Sequence, residues 1–426
     1  MDDHQQPDEI LILDGGTGHL LKRARRSAGG GDQDDDGGNA STAAAAAASP
    51  SPPLPLLRIQ GLSYDQQFLA GAVANAEASS VVRAVHRAYV EAGADVLTTN
   101  SFAAAPRAVR LLPEEVRARL QRRLLPGEEE DNANDDASAL RLSAALACEA
   151  ARVARSAADD AALTKVPRVA GSLPPLGECC YARPGAAPPP PRAQAAAQYL
   201  ALARALHSGG CDLLLAETLP TSEEALAVLD AAVELGREVW LSFTLRDGPA
   251  PPKLRGGELL QSALDRVLDH PASASLVSAL LVNCCAPAAA TPALPLLVAA
   301  AEQIRQRQQQ QAHRRARVGC YCNAFRGTTS EWLAKEVGDD EGLAEATAWA
   351  DARHRGGGVA EFEEEEERAA GEDLLPAEAT ITPEAYERYA REWVRLGATA
   401  VGGCCGIGPR HVRRLVEGLC RQRASG

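Results

Sequence analysis

The sequence has no run of about 18 uninterrupted apolar residues, so no transmembrane helix is expected. Its first residues, MDDHQQPDEI, have neither the basic and apolar regions of a secretory leader nor the Arg-rich character of a transit peptide. A cytoplasmic protein is the expectation. No basic stripe is visible, which argues against nucleic acid as a partner. Nor does the composition fit a disordered or fibrous chain: 46% of the 426 residues are hydrophobic and 24% are charged.

The net charge of −13 is concentrated in three places. Residues 28–40, 124–137 and 351–373 carry −4, −6 and −6, so the rest of the chain is close to neutral. The acidity therefore belongs to insertions and not to a functional face. These insertions span about 27–55, 124–137 and 337–376, and their low-complexity composition cannot bury enough apolar surface to offset ordering entropy. A shorter polar tract, QRQQQQ, covers Gln306–Gln311. The expected organisation is one domain over residues 1–426, interrupted by these loops.

Between the insertions, short β-branched or Leu-rich runs alternate with longer stretches of helical spacing. The strand candidates are Ile10–Asp14, Asp95–Thr99, Arg168–Gly171, Leu213–Glu217, Val239–Thr244, Ala279–Asn283, Arg317–Tyr321 and Thr399–Gly402. Helices are expected at about 79–92, 138–157, 193–208, 222–235, 257–269, 290–306, 328–336 and 409–422, with another at 383–396. Eight such units suggest an α/β fold of the (β/α)8 TIM-barrel type, with an open doubly wound sheet as the competing architecture. In a barrel, reactive residues belong where strands end. Asp14, Thr99-Asn100-Ser101, Ser172, Glu217, Asn283-Cys284-Cys285 and Cys404-Cys405 all fall there.

Eleven cysteines is a high and odd number, so a complete set of intrachain disulfides is not expected. In a reducing compartment, clustered cysteines point to metal binding or catalysis. The ends of strands six and eight share one mouth. Three thiolates there can hold Zn²⁺ and leave a fourth tetrahedral position open. Glycines flanking Cys404-Cys405 let the backbone turn sharply enough for adjacent side chains to share one ion. The bland alternatives are small buried cysteines at strand ends, or a vicinal disulfide formed on oxidation. Side chains alternate along a strand, so only one of Cys284 and Cys285 should face the mouth. Spacing alone does not choose between them.

The segments LILDGGTGHLL, YVEAGADVLTTNSF, AGSLPPLGE, LLLAETLP, SFTL, LLVNCCAP and AVGGCCGIGPRHV together resemble the zinc-dependent homocysteine S-methyltransferase family. They follow in order along almost the whole chain outside the insertions. The resemblance implies zinc held by Cys284, Cys404 and Cys405, because Cys285 occupies a position where the family usually has Thr or Ser. It implies that Glu217 binds the homocysteine ammonium. A dipole-stabilised acid before a helix is the structural alternative for Glu217. Asp14 is expected at the mouth, touching substrate or shaping its Gly-Gly turn. Asn283 is expected at the substrate site, orienting a ligand through its amide or capping the strand. Asn100 and Ser101 are weaker candidates for donor contacts. His411, Cys148, Cys211 and Cys420 read as structural, and Cys179, Cys180, Cys320 and Cys322 receive no role.

The implied reaction is transfer of a methyl group from a sulfonium donor to homocysteine, giving methionine. ETLP resembles the branch that uses S-methylmethionine or S-adenosylmethionine. Alternatives are a betaine-using or selenocysteine methyltransferase, the homocysteine module of a cobalamin-dependent methionine synthase, and a barrel with structural zinc. The chain departs from the family in two regions. FLAGAVAN stands where a Trp-Ser motif is usual, and Cys322-Asn323 stands where Pro-Asn is usual. The sequence leaves the donor and the oligomeric state open.

Overall fold

The structure is a computed structural model that describes residues 10–17, 21, 67–127, 136–159, 166–177, 189–248, 251–307, 316–325 and 381–420. The insertions at 27–55 and 337–376, the expected helix at 328–336, and Cys179 and Cys180 lie outside these residues, as does most of 124–137.

All eight expected strands form. They are β1 (Leu11–Ile12), β2 (Val96–Thr98), β3 (Arg168–Leu173), β4 (Leu213–Leu219), β5 (Val239–Phe243), β6 (Val277–Asn283), β7 (Arg317–Cys322) and β8 (Ala400–Gly403). Every pairing is parallel, and neighbours follow chain order around the sheet. β8 pairs with β1, and a parallel bridge between Leu13 and Val96 joins β1 to β2. The sheet therefore closes as a (β/α)8 barrel, and the open-sheet alternative is excluded.

Alternation along the strands divides the apolar residues into two cores. Leu11, Leu13, Val96, Ala170, Leu213, Leu215, Trp240, Ala279, Leu281, Tyr321 and Ala400 fill the barrel interior. Their chain neighbours, such as Leu214, Ala216, Leu280 and Val282, pack outward against the helices. The result is the layered, filled interior of this fold rather than a pore.

Local signals set the helix bounds. Thr221 accepts from the Glu224 N–H to cap Ser222–Leu235, and Gly236 ends that helix in the left-handed region at φ 65°. Thr382 caps Pro383–Arg395 in the same way, through the Ala385 N–H at 3.2 Å. The segment FLAGAVAN, expected to link β1 to its helix, is itself helical within Gln67–Glu77. It then runs almost directly into Ser79–Glu91. Additional short helices at Pro106–Arg110 and Glu114–Leu124 follow β2.

His86 sits on Ser79–Glu91, completely buried, with neither ring nitrogen hydrogen-bonded among the described residues. Burial pushes its pKa down to about 4. The native state thus binds fewer protons than the unfolded chain between about pH 6.5 and 4. Stability is full above that window and falls as the pH drops through it, by roughly 3 kcal/mol. His86→Leu is expected to remove this part of the acid sensitivity. Denaturant midpoints of the two proteins at pH 7 and pH 4.5 check it. An equal drop in both proteins would rule it out.

Candidate metal centre at the barrel mouth

β6 ends at Asn283, and the next residue, Cys284, adopts a left-handed backbone with φ 52°. Such a conformation in a non-glycine residue breaks strand alternation and is costly unless its surroundings hold it. The carbonyl of Cys284 accepts from the Thr244 hydroxyl at 3.3 Å. The turn separates the two adjacent thiols. Cys284 faces the mouth, whereas Cys285 is buried in the core between sheet and helices together with Cys320 and Cys322.

β8 delivers the other two thiols. Gly402 and Gly403 lead into Cys404-Cys405, and the close approach of the Ile407 side chain leaves no room for a Cβ at Gly403. The Sγ atoms of Cys284, Cys404 and Cys405 all lie within 4.8 Å of one another, and Cys404 and Cys405 are 3.9 Å apart. A tetrahedral zinc with Zn–S bonds of about 2.3 Å needs sulfurs roughly 3.8 Å apart. The donor set therefore fits a thiophilic metal. Hydrogen bonding to Cys284 and Cys405, with burial, pushes the Cys404 thiol well above its ordinary pKa. Crowded thiols of this kind favour the protonated state until a cation joins them.

Asn323 ties the two cysteine loops together. Its Nδ2 donates to Cys284 Sγ at 3.9 Å, and its Oδ1 accepts from the Cys405 N–H at 3.2 Å. Its own N–H donates to the Cys285 carbonyl at 3.0 Å. The sequence marked Cys322-Asn323 only as a departure from the family and gave Asn323 no role. Pairing across strands, which puts the end of β7 between β6 and β8, is what reveals it. Tyr386 reinforces the same junction by accepting from Cys322 N–H at 2.9 Å and donating to the Gly402 carbonyl at 2.6 Å.

Two buried carboxyl groups face the same mouth. Asp14 accepts from the Thr98 N–H and hydroxyl, both at 2.8 Å. Burial pushes its pKa up to about 8, against the opposing pull of the Thr98 donors. Glu217, on β4, is raised to about 7, again chiefly by burial. The Ser172 hydroxyl donates to Glu217 Oε1 and the Tyr321 hydroxyl to Oε2 at 3.4 Å. Among the described residues, no Lys, Arg or His pairs with either carboxyl group.

The remaining candidates are occupied by the scaffold. Asn283 is fully buried. Its Oδ1 accepts from the Thr218 N–H and the Ser242 hydroxyl, both at 2.8 Å, and its Nδ2 donates to Thr218 Oγ1 at 2.9 Å. It holds Thr218, another left-handed residue at φ 60°, directly after Glu217. Asn100 donates to the Gly71 carbonyl at 2.7 Å, and Asn75 donates to the Asn100 carbonyl at 2.7 Å. This pair docks Gln67–Glu77 on the end of β2. Ser101 donates to the Ser172 carbonyl at 2.8 Å. His411 accepts from the Gly408 N–H at 3.3 Å and pairs with the Ile381 carbonyl at 3.0 Å.

A parallel barrel with three thiols converging at one mouth places the protein among barrels whose cysteine cluster is of a kind that could hold a metal. The sequence profile of the homocysteine S-methyltransferase family matches residues 11–419. The chain belongs to that family and is a methyltransferase. Comparison with curated proteins gave no match. Among solved structures, the metallated form of the homocysteine methyltransferase MmuM from Escherichia coli is similar at 21% identity. That likeness covers 96% of each chain, with a TM-score of 0.54. The oxidized form of the same protein gives 21% identity, 97% and 96% coverage and a TM-score of 0.55. At this identity the likeness concerns the fold.

Proposed function

We propose that the protein transfers a methyl group from a sulfonium donor, S-methylmethionine or S-adenosylmethionine, to the thiol of homocysteine, giving methionine. The observation that carries this reading is the convergence of Cys284, Cys404 and Cys405 at the mouth. These three would hold zinc. When bound, zinc supplies a fourth position at which an incoming thiol is kept as the nucleophilic thiolate. The three cysteine thiolates add negative charge that keeps that sulfur electron-rich. A sulfonium leaves without a proton, so the chain needs alignment more than acid catalysis.

Glu217 and Asp14 account for the other end of the acceptor. Two buried carboxyls with no protein cation beside them favour a ligand that brings one. The homocysteine ammonium is such a group. Asn283 contributes by holding Thr218 and so the end of β4. A purely structural zinc is disfavoured, because Cys285 and Cys322 point into the sheet–helix core and supply no fourth ligand. ETLP supports a sulfonium donor over betaine.

Zinc content of the purified protein, with methionine formation from homocysteine and each of S-methylmethionine, S-adenosylmethionine and betaine, tests the reading. One zinc per chain and turnover with a sulfonium are expected. Turnover with betaine alone would overturn the donor. Bound zinc without turnover on any donor, and unfolding on its removal, would overturn the catalytic reading.

A further inference from the structure

We propose that Tyr321, with Ser172, is a positioning residue that fixes Glu217 and thereby sets the preference for thiols bearing an α-ammonium. The proposal rests on the acceptor reading given above. Tyr321 belongs to the inner core of the barrel, on β7, while Glu217 is on β4 across the interior. Its hydroxyl reaches Glu217 Oε2 at 3.4 Å, and Ser172 on the adjacent β3 takes Oε1. Each carboxylate oxygen thus receives one neutral O–H donor from a different strand.

The donors are themselves held. The Ser172 N–H donates to Thr99 Oγ1 at 2.9 Å, and Thr99 and Ser101 share a 2.8 Å hydroxyl contact. Tyr321 is buried among Leu213, Leu215, Trp240 and Leu281, so its ring has little freedom. One donor per oxygen leaves each with further lone pairs for an incoming ammonium. A flexible glutamate would lose rotamer freedom on binding, whereas this one is oriented beforehand. The hydroxyls are neutral, so they orient the carboxyl group without supplying the cation that the ligand brings.

The test uses the zinc-loaded full chain with homocysteine and with 4-mercaptobutanoate, which keeps the thiol and carboxylate but lacks the ammonium. Tyr321→Phe is expected to raise KM for homocysteine about tenfold, the usual scale for one hydrogen bond to a charged group. Its kcat, zinc content and KM for 4-mercaptobutanoate are expected to stay near wild type. Ser172→Ala is expected to act in the same direction and serves if the first variant does not fold. Equal KM changes for both thiols, or no change for either, would overturn the proposal while wild-type turnover leaves the acceptor reading intact. Wild-type protein that methylates neither thiol would overturn both.

Discussion

Replacing Cys404 with alanine is expected to remove methyl transfer almost completely, by roughly a thousandfold or more, and to leave purified protein with little zinc. The reason is geometric. Cys404 lies 3.9 Å from Cys405 within a trio whose sulfurs are all within 4.8 Å, so its loss leaves two thiols and two open positions. The side chain is only partly buried at the barrel mouth, and alanine fits β8's end without a clash. Folding should therefore survive, and circular dichroism with metal analysis separates the two effects. Retained zinc with wild-type turnover would sink the assignment of Cys404 as a ligand. Metal uptake also requires displacing the proton of Cys404, whose pKa the cluster holds high, so zinc affinity of the wild type should fall as the pH is lowered.

Gly319→Ala should produce the largest loss of stability. Gly319 is on β7 opposite Ala400 of β8. A Cβ at this position would lie 1.7 Å from the Ala400 carbonyl oxygen, with the Ala400 Cα also within contact distance. The obstacle is backbone in a neighbouring strand, and neither side can rotate away. Relief requires separating β7 from β8, the two strands whose ends carry Asn323 and Cys404-Cys405. An over-packed core commonly costs about 1–3 kcal/mol, and a backbone obstacle belongs at or beyond the top of that range. A fall in Tm of about 10 °C or loss of soluble protein is expected, with zinc bound more weakly in whatever folds. A melting temperature within about 2 °C of wild type would show that the strands tolerate the separation. Gly236→Ala is a useful contrast, because nothing lies within 4 Å of a Cβ there and only the φ of 65° opposes it.

Much of the barrel was legible in the chain. Eight apolar runs followed by helical stretches gave the eight strands to within a few residues, because alternation and apolar clustering are local consequences of burial on both faces. The expected helix at 222–235 matches Ser222–Leu235, whose ends are fixed by local caps at Thr221 and Gly236 that act within a single turn. FLAGAVAN was less transparent. Its helix, Gln67–Glu77, is rich in small apolar residues, and it is placed by Asn75 and Asn100, which are 25 residues apart.

The sequence by itself determined the strand count, the thiols at the ends of β6 and β8, and the carboxyls at the ends of β1 and β4. These are properties of short segments, whose hydrophobic pattern and turn residues act over a few positions. Only the tertiary structure decided which thiols meet and what holds them. The left-handed turn at Cys284 sends Cys285 into the outer core, and β7 brings Asn323 between the two cysteine loops. Likewise Tyr321 reaches Glu217 across 104 residues. Such contacts depend on barrel closure and on the register of non-adjacent strands, which no local pattern encodes.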